Sequence, residues 1–383
     1  MIGKRHFLQR ITSQTRFKSL EINSTEFEGS SPPSVFIGAE NYPKVYAGPM
    51  LSQEMESQSY DSPERWLSDF KRDEIINFRL NLLRCKQKIC VTDVSGRFAQ
   101  KMQEIALAGH SVYSHAEFDN LPRGVSFSEE HAPFGPSAQL RSIETESPKW
   151  QKELERAYND TDLHARDAVA ELHKKGIEFT KIQKALSVGA FGNLKNRKMV
   201  PTKWSITATD DMLGKNTISD VKENDVIKDY RVYESAGMDN YFAVLMTPEV
   251  WQYEAIEAFI NLLDSRTFMF SDYENYFGRK AYSDMGGCYY AQRFAIAEKL
   301  RENNEQAGAF VFREAYEGYI PTGVWLCREL TKNALNNEPK NFGNLSEALH
   351  YIDSRVRLGV PNLMSNMQLI HQVGKQKSLN AFI

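Results

Sequence analysis

Ile89-Cys90-Val91-Thr92-Asp93-Val94-Ser95-Gly96, continued by 97–108 and closed by Gly109, is the stretch whose reading decides the fold class. Residues 89–94 have strand character, Ser95-Gly96 is a turn, and 97–108 reads as a helix stopped by glycine. A strand that feeds a helix through a short turn belongs to a mixed α/β protein, and the same alternation recurs on both sides of it.

Upstream, residues 24–50 are rich in turn formers and frame two short strands, at Val35-Phe36-Ile37-Gly38 and near Lys44-Val45-Tyr46. Ser62 before Pro63 predicts one helix carrying Trp66, Phe70, Ile75, Phe78 and Leu82 on to Leu83. Downstream, Pro122, Gly124, Pro133, Gly135, Pro136 and Pro148 make 119–150 a long surface excursion. Asp160-Thr161 caps a helix through Leu163, Val169 and Leu172 to Lys175, stopped by Gly176, and a second short helix precedes Gly189.

The texture changes at 204–244. Trp204-Ser205-Ile206-Thr207-Ala208-Thr209 and Tyr241-Phe242-Ala243-Val244-Leu245 are β-branched and aromatic, which predicts strands and a second domain. Thr247-Pro248-Glu249 predicts a helix start for the segment with Val250, Ile256, Phe259, Ile260 and Leu263. Further helices are expected around 290–303, 324–335 and 345–356, with a strand at 309–313. The expectation is a mixed α/β protein of two closely packed domains with a flexible C-terminal peptide tail: a segment 1–23, domains 24–200 and 201–371, and a tail 372–383.

Composition narrows the function classes. With 383 residues, 41% hydrophobic, 25% charged and a net charge of -3, the chain is an ordinary globular protein and not a strongly basic coat for nucleic acid, so any DNA contact is local. Four cysteines, Cys85, Cys90, Cys288 and Cys327, are too few and too scattered for a disulfide framework, which fits a reducing cytoplasm. No apolar run reaches the roughly 20 residues that a bilayer requires, and 1–20 is not a secretory signal.

Several segments in order, Ser30-Ser31-Pro32-Pro33-Ser34-Val35-Phe36-Ile37-Gly38, Tyr42-Pro43-Lys44-Val45-Tyr46-Ala47-Gly48-Pro49 and Pro201-Thr202-Lys203-Trp204-Ser205-Ile206-Thr207-Ala208, resemble the archaeal Nre family of DNA-repair proteins. Gly286-Gly287-Cys288-Tyr289-Tyr290-Ala291 and Gly323-Val324-Trp325 look like further family landmarks, so the resemblance runs from about Ser30 to the C-terminus. It implies a cytoplasmic role in DNA-damage repair and, as in many members, a C-terminal peptide that binds the sliding clamp PCNA. Many relatives begin with a cysteine-rich zinc element; this chain has no cysteine before Cys85.

The final residues, Gln376-Lys377-Ser378-Leu379-Asn380-Ala381-Phe382-Ile383, have the form of such a peptide (a PIP motif). In one 3₁₀ turn Leu379 and Phe382 project together with Ile383 beside them, while the Gln376 amide donates and accepts at the pocket rim. Val373-Gly374-Lys375 supplies a mobile lead. For DNA, Lys195, Arg197, Lys198 and Lys203 offer cations to phosphates, and Trp204 an indole for an exposed base.

Other constellations have plainer readings. His110, His115, Glu117 and Asp119 match no compact metal-ligand spacing and read as polar loop residues. Asp93, Asp160, Asp162, Asp210 and Asp211 stand where a nuclease would hold Mg²⁺, yet aspartate is favoured at caps and turns for structural reasons alone. Cys85 and Cys90 flank lysines, but a core-facing thiol acts as a small hydrophobe.

The function expected is a DNA-repair factor, without cofactor or resident metal, that binds the sliding clamp through its tail and contacts DNA. The alternative is a clamp-recruited nuclease or phosphodiesterase dependent on Mg or Mn. No catalytic residue, lesion or oligomeric state is assigned.

Overall fold

The structure is a computed structural model that describes residue 7, residues 10–11, 19–263 and 266–374; the clamp-type peptide lies outside the described residues. The chain divides into two units, Arg16–Met212 and Met1–Thr15 with Leu213–Ile383. The class is mixed α/β, as the strand-to-helix reading predicts.

The first unit begins with β1 (Glu26–Ser31), β2 (Val35–Ile37) and β3 (Lys44–Leu51), followed by α1 (Pro63–Asp69), α2 (Arg72–Leu80), β4 (Leu83–Cys90) and α3 (Arg97–Ala106). β5 (Val112–Phe118) and β6 (Ser137–Thr145) complete a six-stranded sheet of order β1-β5-β6-β4-β3-β2, in which β4 and β6 pair parallel and the other neighbours antiparallel. Then come α4 (Lys152–Asn159), α5 (Ala165–Lys174), α6 (Phe179–Ser187) and α7 (Thr202–Val221). Phe27, Leu51, Leu83, Cys85, Ala116, Phe118, Ala138 and Leu140 form one core, because alternate residues of a strand share a face. The neighbouring cluster of Phe36, Met50, Leu82 and Phe134 is smaller. Gly48 lets β3 approach β4 closely: a Cβ there would lie 2.2 Å from the Cys85 carbonyl oxygen.

The second unit has β7 (Asp225–Val226), β8 (Tyr230–Gly237), β9 (Asn240–Thr247), β10 (Gln252–Leu263) and β11 (Arg266–Glu274), then α8 (Gly287–Glu302), β12 (Glu305–Gln306) and β13 (Gly308–Ala315). It closes with α9 (Trp325–Asn336), β14 (Lys340–Phe342), α10 (Leu345–Asp353) and α11 (Val360–Met364). The main sheet runs β11-β10-β13-β9-β8-β14. Val232, Ala243, Leu245, Ile256, Ala258, Phe310 and Phe312 on its strands pack with Ala348 and Ile352 of α10. Phe7 and Ile11 cover Phe259, Ala315 and Tyr319. Among the described residues no helix is long and apolar enough to cross a membrane.

Several local expectations are corrected. Residues 204–209 are not a strand but the start of α7. Ser205, Thr209, Leu213, Thr217 and Val221 are buried at four-residue spacing, and the Thr209 and Thr217 hydroxyls donate to Ser205 O (2.8 Å) and Leu213 O (2.9 Å), one turn back. Tertiary burial here overrides β propensity. The expected helix after Glu249 is instead the strand β10, paired on both sides by β11 and β13. Tyr253, Glu254, Ala255, Ile256, Glu257, Ala258 and Phe259 are all buried, and a strand covered on both faces loses the period-two alternation that would separate it from a helix.

The helix expected from Pro63 breaks in two, since Phe70 and Lys71 are extended and the Glu74 carboxylate accepts the Lys71 N–H (2.8 Å), starting α2 afresh. The strand expected at 89–94 runs instead from Leu83 to Cys90, where Leu83, Cys85 and Ile89 are buried and the polar Arg84, Lys86, Gln87 and Lys88 hide its strand character. The excursion at 119–150 contains β6. Val373 is not part of a free lead: it is buried, and the Gly374 N–H donates to Glu249 Oε1 (2.8 Å), so the chain stays docked up to Gly374.

One buried charge holds the first unit's helices. Asp61 receives Arg79 Nη1 at 2.6 Å and Lys184 Nζ at 2.7 Å, and Arg79 also donates to the Pro133 and Tyr60 carbonyls. Burial raises the Asp61 carboxyl, but Lys184 and Arg79 outweigh it and bring it down to about 2. A depressed carboxylate stabilises the fold above its unfolded value and loses that contribution as pH falls. We therefore expect this contribution intact above pH ~4.5 and lost progressively toward pH ~2. Asp61→Asn should cost about 3 kcal/mol in urea unfolding at neutral pH and remove part of the acid dependence; unchanged stability would show that the triad is not a tie.

Candidate nucleic-acid interface

The three family-like segments of the first unit converge. The Ile37 N–H on β2 donates to the Thr202 hydroxyl at the start of α7 (2.8 Å), and Gly38 N–H donates to Tyr46 O on β3 (2.9 Å). This fixes the β2–β3 turn against the first turn of α7. Tyr42 and Trp204 then meet on the surface with ring centroids 5.2 Å apart, 43% and 44% exposed. On α7 the indole lies 44% exposed, so it remains available.

On β4 the Arg84 guanidinium lies 4.2 Å from the Phe36 ring centroid and 5.2 Å from that of Phe134, with Nη2 donating to Tyr46 O (3.3 Å). Desolvation lowers Arg84 to about 10 and His131, whose ring stacks on Phe134, to about 4, so His131 is neutral at pH 7.

The expected cations fall into two kinds. Lys203 pairs with Glu130 (3.0 Å). Arg197 donates to Gly192 O and Asp160 O (both 2.8 Å) and lies 5.4 Å from the Tyr158 ring centroid, which makes it a brace for its loop rather than a free cation. Lys195 and Lys198 are exposed and form no ion pair among the described residues. Two ammonium groups free for phosphates, and an exposed indole beside a phenol, are the chemistry on offer.

The carboxylates considered for metal serve as turns and caps or lie within a helix. Asp93 Oδ1 accepts the Gly96 N–H (2.8 Å) ahead of α3, and Asp160 Oδ1 accepts the Asp162 and Leu163 N–H groups (3.1 and 3.0 Å). Asp210 and Asp211 lie inside α7, not at an element end. Among the described residues only Glu257, Cys288 and Cys327 bring three potential ligand atoms within 4.8 Å of one another, so neither these aspartates nor His110, His115, Glu117 and Asp119 do so. Cys85 is buried and its thiol raised by desolvation, as the apolar reading expects, while Cys90 is half-exposed with its thiol lowered by Thr92.

At Glu257, a cation is already in place. Arg313 Nη1 lies 2.7 Å from Glu257 Oε1 and 3.9 Å from Cys288 Sγ. A divalent ion there would have to share the site with a guanidinium, so the residues present do not fit a metal. Arg313→Met should cost about 3 to 5 kcal/mol by stranding the Glu257 charge, whereas a chelator should leave the unfolding temperature unchanged. A chelator-induced fall in that temperature would overturn the assignment.

Sequence reasoning missed a different feature, the exposed aromatics of 276–282. Phe277 is 91% exposed. The signal available was a run of aromatics interleaved with Arg279 and Lys280 after a strand.

Comparison with known proteins sets this geometry in context. The family description Archaeal Nre, N-terminal matches residues 4–262, and Archaeal Nre, C-terminal matches 274–382. The first match ends inside β10, so the family division does not coincide with the two units of the structure. DNA repair protein NreB of Archaeoglobus fulgidus is 34% identical over 93% of this chain and 91% of its own length. DNA repair protein NreA of the same organism is 32% identical over 95% and 92%, and NreA of Haloferax volcanii 28% over 92% and 88%. No solved structure matches the chain.

Proposed function

The chain belongs to the archaeal Nre family, and from that premise we propose that it is a cytoplasmic DNA-repair factor that contacts DNA through its first unit and binds the sliding clamp PCNA through its tail. The names of its relatives support the repair role. The observation that carries the DNA contact is the exposed Trp204–Tyr42 pair, which the Ile37–Thr202 hydrogen bond holds in place in a unit that also exposes Lys195 and Lys198. Phosphates would meet the lysines, and an unstacked base the indole.

The two contributions separate by salt. Lys195→Ala with Lys198→Ala should weaken DNA binding and reduce the salt slope by about two, because about two fewer counterions are released. Trp204→Ala should weaken binding to single strands about tenfold with the slope unchanged. An unchanged slope in the lysine variant would sink the contact.

For the clamp, the spacing of Gln376, Leu379, Phe382 and Ile383 supports the reading, with Lys377, Ser378, Asn380 and Ala381 filling the turn. Leu379→Ala with Phe382→Ala should lower clamp affinity more than tenfold in calorimetry while the unfolding temperature holds. Equal affinity, or a destabilised fold, would make the peptide structural instead.

A further inference from the structure

Beyond β11 the second unit carries Asn275-Tyr276-Phe277-Gly278-Arg279-Lys280-Ala281-Tyr282-Ser283. Asn275 and Gly278 bridge to form a tight turn: the Gly278 N–H donates to Asn275 O (2.9 Å) and the Phe277 N–H to Asn275 Oδ1 (3.0 Å). Gly278 has φ +77°, a left-handed conformation that glycine adopts without strain. The turn lifts Phe277 into solvent, 91% exposed, with Tyr276 at 37% and Tyr282 at 61%. Large apolar groups grouped outside any core mark interaction sites.

The loop is braced. Asp272 pairs with Arg279 (2.6 Å) and accepts from the Ser283 hydroxyl (2.8 Å) and the Asp284 N–H (3.0 Å). Arg279 also donates to the Ala281 and Tyr282 carbonyls and lies 5.0 Å from the Tyr289 ring centroid. Tyr282 leans on Tyr290 at 5.4 Å, and Lys222 Nζ sits 4.6 Å from the Tyr276 ring centroid. Rings held this way lose little freedom on binding.

Charge selects the occupant. The stretch 275–283 contains Arg279 and Lys280 and no carboxylate; Arg279 is matched by Asp272, and Asp284 follows at the far end. Lys280 is exposed and has no ion-pair partner among the described residues, while Lys222 donates from Nζ to the Tyr276 carbonyl (2.5 Å) and braces the loop. Exposed rings beside an exposed lysine suit unstacked bases on a phosphate chain, since every base offers a face to stack and every phosphate a charge to meet.

We propose that the Tyr276–Tyr282 loop is a second nucleic-acid contact, specific for single strands: bases stack on Phe277 and Tyr282, and phosphates meet Lys280. This goes beyond the first-unit contact and stands on different residues.

Anisotropy of a fluorescein-labelled 20-nucleotide oligo(dT) with the full chain tests it. Phe277→Ala with Tyr282→Ala should weaken binding about tenfold or more, while affinity for a 20-base-pair duplex stays within about twofold. Phe277→Trp adds a reporter at the tip whose emission should be quenched as oligo(dT) is added. Circular dichroism checks that each variant is folded. Equal oligo(dT) affinity of native and double-alanine chains, or an unquenched tip indole, would overturn the proposal. So would a double-alanine variant that loses clamp binding and keeps oligo(dT), since the loop would then dock a protein. If the lysine variant at 195 and 198 alone loses affinity, only this inference fails; if the native chain binds neither DNA, both readings fail.

Discussion

The Arg313 guanidinium lies in the middle of the second sheet, 1% exposed, and the packing around it follows from the need to match its charge there. Glu257 faces it from the parallel neighbour β10, and Asn240 Oδ1 on β9 accepts from Nε and Nη2 at 3.0 and 2.9 Å. The Phe242, Phe259 and Tyr319 ring centroids stand 5.4 to 5.5 Å away. A slip of one residue in β10 or β13 would turn one partner to the opposite face and leave a bare charge in the core, so this ion pair sets the register of the central strands. Cys288 on α8 rests against the same guanidinium, which ties that helix to the sheet.

The first unit solves the same problem with the signs reversed. Asp61 is the buried charge, and Arg79 on α2 and Lys184 on α6 reach it from separate helices. The helices cannot drift without stranding a charge. At the surface a hydrogen bond does the fixing. Tyr42 and Trp204 come from places far apart in sequence and are useful together only because Ile37 and Thr202 are joined.

The two candidate contacts divide the chemistry of a repair factor between the units. The first offers a ring pair and free lysines, the second a braced turn with aromatics at its tip. Both are local, as a chain with a net charge of -3 requires. The proposed clamp peptide follows a chain that stays docked up to Gly374 on the second unit.

The sequence by itself determined the mixed class, the family likeness, α3 after its Ser95-Gly96 turn, the helices after 286, 324 and 344, and the strands near 241 and 309, because each has a local signal in caps, glycines or β-branched runs. It also supplied the clamp-type spacing at 376–383. Only tertiary structure decided that 204–209 is helical, since buried Ser205, Thr209 and Thr217 satisfy their hydroxyls on the preceding turn. Only tertiary structure decided that β10 is a strand, because a segment covered on both faces loses the alternation that marks one. The free and committed cations also looked alike in sequence: Lys203 and Arg197 find partners at Glu130 and Asp160, while Lys195 and Lys198 do not. Whether a side chain is spent on its own fold depends on what lies across from it in space, and local sequence does not encode that distance.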